Sequence, residues 1–86
     1  VRAFEAELDR WDTCIIENSA RQHAENSIRK RKSNFEKMFA KSEAACASIL
    51  AKVEKKHPGN ATFQGMADAY RYNAASFIKE QLSYEQ

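Results

Sequence analysis

The chain has 86 residues, 43% of them hydrophobic and 30% charged, with a net charge of +2. That length allows one domain, residues 1–86, and no second. Two Gly and one Pro leave too few turn formers for a sandwich, a barrel or a loop-built active site, whereas the wealth of Ala, Glu, Lys, Arg and Gln points to helices.

In chain order, the first apolar stripe is Phe4, Leu8, Trp11 and Ile15, stepping by four, three and four. Beyond it, Glu17–Asn34 carries only Ala20, Ala24 and Ile28 as an apolar face. A second stripe, Phe35, Met38 with Phe39, Cys46, Ile49 and Val53, is again helical in period. Ser33 and Glu36 fit a capping box that would open this helix. Lys55-Lys56-His57-Pro58-Gly59-Asn60 marks a sharp break: cations and His57 suit a helix C-terminus, Pro-Gly ends it, and Asn60 reads as the next N-cap. Phe63, Met66, Tyr70, Phe77 and Ile78 then recur along a helix over 61–84, about 35 Å long.

Two all-α arrangements fit this pattern. In the favoured one, helices at about 2–29, 34–56 and 61–84 form an antiparallel three-helix bundle, with Arg29–Lys32 as a basic connection. In the other, no Gly or Pro interrupts residues 2–56, which form one helix of about 80 Å that dimerises, with helix 61–84 folded back as a hairpin. Charge favours the first. Residues 1–28 hold three basic and six acidic side chains, and residues 29–56 hold nine basic and three acidic, as an antiparallel pair would want. Exposed ion pairs contribute only about 0–1 kcal/mol each, so the preference is modest.

Cys14 and Cys46 test the same fork. On one continuous helix they lie roughly 48 Å apart, whereas in an antiparallel pair turning near residue 30 they face each other. The favoured reading is two buried thiols acting as small hydrophobes, with a disulfide geometrically open. No CxxC motif, HExxH motif or Cys/His cluster is present, so no metal or cofactor is expected; His23 reads as solvated and His57 as a capping cation. The carboxylates Glu5, Glu7, Asp9 and Asp12 spread around the first helix, and no GxSxG, P-loop or GxGxxG occurs. Catalytic residues are therefore expected to be none.

Arg29, Lys30, Arg31 and Lys32, extended by Lys37 and Lys41, form the sharpest local signal. As an anion-binding cluster they suit phosphate or an anionic surface. A sequence pI near 8.6 and an acidic first segment argue for a solvated connection instead, so nucleic acid is not the favoured partner. Asn60-Ala61-Thr62 matches the N-glycosylation pattern, which matters only in an exported eukaryotic protein. No run approaches the roughly 20 apolar residues of a membrane span. No leader opens the chain, which begins at Val1, so a soluble protein is expected, cytoplasmic or exported after leader removal. The aromatic stripes default to core. Tyr72 and Tyr84, off the stripe, together with Ile16 and Ile78, are the candidate partner surface. The function expected is a non-catalytic interaction module, an adaptor, chaperone, inhibitor or assembly subunit, with a protein partner and a homodimer as an open arrangement. Binding of nucleic acid or an anionic surface through Arg29–Lys32 is the alternative.

Overall fold

The fold is described from a computed structural model, which covers residues 4–32 and 34–84, with side chains through residue 81. Three helices follow in order: α1 (Glu5–Ile28), α2 (Phe35–Lys56) and α3 (Ala61–Tyr84). The chain is thus an all-α three-helix bundle, and the break between residues 28 and 35 rules out the continuous helix.

Local chemistry accounts for each boundary. Glu5 and Glu7 place negative charge in the first turn of α1, where the helix dipole favours it. At the other end, the Arg31 N–H donates to the Asn26 carbonyl and the Lys30 N–H to the Ser27 carbonyl, while Lys30 takes φ 57°. That is a Schellman ending with lysine where glycine is usual. The expected Ser33 cap lies outside the described residues. Asn34 caps α2 instead, its Oδ1 accepting the Lys37 N–H at 3.1 Å. His57 ends α2, Gly59 turns with φ 69°, and Asn60 Oδ1 accepts the Phe63 N–H at 3.1 Å to start α3. The side chain marked as a glycosylation candidate therefore serves as a helix cap.

α1 is the central element, packed chiefly on α2 and also on α3, while α2 and α3 touch little. The molecule measures 43 × 20 × 18 Å. Phe4, Leu8, Trp11 and Ile15 bury against Met38, Cys46 and Val53 of α2 and against Phe63, Ala67, Ala74 and Ile78 of α3. The end holding both termini of the α2–α3 turn is closed by aromatic edges: Phe4 meets His57 and Phe63 with centroids 5.4 and 5.6 Å apart.

Two sequence expectations need correction. Ile78, placed on the partner surface, is 4% exposed, and Phe77, placed in the core, is 45% exposed. The buried stripe of α3 steps 63, 67, 74, 78, so Ile78 continues it, and Phe77 lies about 100° away. Among the described residues, a bidentate ion pair joins Arg71 of α3 to Glu43 of α2, at 2.8 and 2.9 Å. Beside the apolar core, α1 and α2 also meet along a polar seam.

Candidate functional site

The seam is built from residues that a sequence pattern assigns to solvent. Ser19 Oγ and Ser42 Oγ lie 2.9 Å apart, both buried, and Gln22 Nε2 donates to Ser42 Oγ and to the Met38 carbonyl. One turn along α1, Asn18 Nδ2 donates to the Cys14 carbonyl at 2.9 Å and sits 3.5 Å from both sulfurs of Cys14 and Cys46. The two cysteines pair across α1 and α2 at disulfide-bonding distance, their Cα atoms 6.1 Å apart. The antiparallel register centred near residue 30 brings them together as the spacing allowed, though bonded rather than as free thiols.

With α1 tied to α2 by this seam, its outer edge is left to α3, and there the cover is incomplete. Ala20 and Ala24 are too small to fill the space, and a groove of about 330 Å³ opens between α1 and the last turns of α3. Ile16, Ala20, Ala24, Phe77 and Ile78 line it, with Met38 of α2 at its base; Ser19, His23, Ser27 and Gln81 are its polar groups. Phe77, 45% exposed, forms one wall, and Ile28, at the end of α1, is 81% exposed.

Of the four candidate partner-surface residues, Ile16 lines this groove, half-buried against the core, and Ile78 forms its inner wall. Tyr72 is 72% exposed but lies about 140° around α3 from Phe77, outside the groove. The Tyr84 side chain lies outside the described residues. The groove's other lining residues, Ala20, Ala24, Ser27 and Phe77 among them, were not marked as partner surface by sequence reasoning. The signal available was the thin Ala20, Ala24, Ile28 stripe, which marks a helix face too slight to be a core of its own.

Outside the groove, acids gather near the start of α1 and cations in the α1–α2 loop. Toward the start of α1, Asp9 accepts a hydrogen bond from Tyr70; that bond, foremost, with burial and the nearby carboxylates Asp9, Glu5 and Asp12, raises the phenol above its ordinary pKa. Burial, then the charge of Asp9, pushes the Asp12 carboxyl up, and Asp12 Oδ1 is buried with no hydrogen-bond partner. At the other end lie Arg29, Lys30, Arg31 and Lys32, all exposed. These four form the α1–α2 loop rather than a helical turn, so they gather at one end of the bundle instead of pointing all around a helix. Lys37 and Lys41 are exposed on the first turns of α2.

Among the described residues, no group of three or more His, Cys, Asp or Glu is placed to hold a metal ion, and no helix is long and apolar enough to cross a membrane. Comparison of the chain with protein-family models, with curated proteins and with solved structures finds no match.

Proposed function

We propose that the chain is a non-catalytic helical interaction module whose α1/α3 groove receives a protein surface. The observation that carries this reading is the groove itself, mostly apolar and walled on one side by the exposed side chain of Phe77. Apolar surface left open beside a polar rim is where an anchor side chain of a partner gains most on leaving water. Ala20→Arg fills the groove from an exposed position while leaving the core untouched. Proteins retained by the immobilised wild type should be lost with Ala20→Arg and kept with Lys52→Glu, a change on exposed α2 surface away from the groove. Identical retention by both variants would end the reading.

A second reading, binding of a polyanion through Arg29–Lys32, is supported by the exposure of all four cations in one loop. It predicts retention on immobilised nucleic acid that falls steeply with salt and is lost when Arg29 and Arg31 are replaced by Gln.

A further inference from the structure

The sequence holds one N-x-Ser/Thr pattern, Asn60-Ala61-Thr62, with Ala rather than Pro at its centre. The groove makes no use of it, yet its place in the fold suits a modified asparagine. We infer that Asn60 is an N-glycosylation site, carrying a glycan on Nδ2 when the chain passes through a eukaryotic secretory pathway. The start of α3 uses both oxygens of Asn60 and leaves its side-chain nitrogen free. Oδ1 accepts the Phe63 N–H at 3.1 Å, and the Asn60 carbonyl accepts the Gln64 N–H. Nδ2 enters no hydrogen bond among the described residues. An amide nitrogen carries two N–H bonds, and a glycosidic link replaces one of them while Oδ1 remains an acceptor. Cap and glycan are therefore compatible on one side chain.

The surroundings have room for a bulky group. Pro58, Gly59, Ala61 and Thr62 are all exposed, and Asn60 is half-buried. Beyond its chain neighbours, a Cβ placed on Gly59 would have no atom within 4 Å. Bulky, solubilising N-glycans sit on surface of this kind. The Cys14–Cys46 bond supplies independent support, since it joins α1 to α2 and owes nothing to the residues around Asn60. Disulfides persist in oxidising compartments such as the lumen of the endoplasmic reticulum, where N-glycans are also attached. The transfer is a substitution without redox change. Asn60 Nδ2 attacks the anomeric carbon of an oligosaccharide carried on a lipid diphosphate. The nitrogen–carbon bond forms, the carbon–oxygen bond to phosphate breaks, the Nδ2 proton passes to a base and the lipid diphosphate leaves. Phe77, where the groove begins on α3, lies about 26 Å along the helix from Asn60, so the glycan leaves the groove open.

Expression of the full chain behind a cleavable secretion leader in a eukaryotic cell line tests this, with protein recovered from cells and medium together. Intact mass should show a glycan on most molecules of the wild type and of Thr62→Ser. Peptide N-glycosidase should remove it and leave aspartate at position 60. Asn60→Asp and Thr62→Ala should carry none, although both keep a side-chain oxygen to cap α3. The glycosylated protein should melt no lower than the oxidised chain made in bacteria, whereas Asn60→Ala made in bacteria should melt lower for want of the cap. A wild type left mostly unmodified overturns the inference, most directly where a non-reduced digest shows the Cys14–Cys46 bond formed. A glycan that persists in Asn60→Asp or Thr62→Ala overturns it as well. A glycosylated chain that melts with Asn60→Ala overturns the division of labour between Oδ1 and Nδ2.

Discussion

Lys30 holds a backbone conformation that suits glycine. Its φ of 57° closes α1, and an L-residue there carries a cost of about 1–2 kcal/mol from the crowding of Cβ against the following carbonyl. Glycine avoids that crowding but loses about 0.5–1 kcal/mol through its freer unfolded chain. Lys30→Gly should therefore stabilise the protein by about 0.5–1 kcal/mol, read as a melting temperature several degrees higher. An unchanged or lower melting temperature would show that Lys30 makes up its backbone cost elsewhere. Asp12 works through protons instead. Burial, and then Asp9, raise its folded-state pKa above the ordinary carboxyl value of 3.8. The folded protein therefore holds the Asp12 proton more tightly than the unfolded chain does. Asp12 favours the fold below pH 3.8, and that contribution is lost as pH rises through the folded-state pKa, leaving a buried, unpartnered charge at neutrality. Asp12→Asn should melt above wild type at pH 7, with the gap closing as pH falls toward 4. A gap constant across that range would assign the effect to something other than this proton.

Trp11 stands at the centre of the α1 stripe, 3% exposed among Leu8, Ile15 and the facing residues of α2 and α3. Trp11→Ala removes its apolar surface and leaves a cavity, a loss of about 3–5 kcal/mol. Since whole domains are stable by only about 5–15 kcal/mol and this one is small, urea denaturation should show most of the stability gone. Wild-type stability in Trp11→Ala would mean that the α1 stripe is not the packing centre. At this scale the sequence was largely legible. Helical period located α1, α2 and α3, His57-Pro58-Gly59-Asn60 located the second turn, and a turn near residue 30 placed Cys14 opposite Cys46. What was not legible has a common cause. Ser19 and Ser42 are buried, and Gln22 half-buried, because they satisfy one another across two helices, and a partner residue 20 or more positions away leaves no trace in local periodicity. The exchange of Phe77 for Ile78 has the same origin, since adjacent apolar residues leave the phase of a helix undetermined until Ala74 is known to be buried. The groove is harder still to foresee, because it is made by the smallness of Ala20 and Ala24 rather than by any residue with chemistry of its own.

For the molecule as a whole, the decisive question is what keeps α1 and α2 together when the core is small and part of their interface is polar. A bond between Cys14 and Cys46 closes a loop across the α1–α2 hairpin, with 32 positions separating the two residues. Closing a loop of that length restricts the unfolded chain and favours the fold by about 3–4 kcal/mol in the chain-entropy account. The Ser19–Ser42–Gln22 contacts sit on the same interface but exchange protein partners for water, at a net gain of only about 1 kcal/mol per hydrogen bond. Most of the margin should therefore reside in the covalent link. Reduction, or the paired substitution Cys14→Ser with Cys46→Ser, should lower the melting temperature by about 15–25 °C while leaving a helical chain at low temperature. Because Cys46 is fully buried, reductant should act slowly on the native protein and quickly once urea opens the bundle. A non-reduced digest should yield the Cys14–Cys46 peptide pair within one chain. If the reduced protein instead melts with the oxidised one, packing and the polar seam hold α1 to α2 by themselves, and the loop-closure account of this fold is wrong.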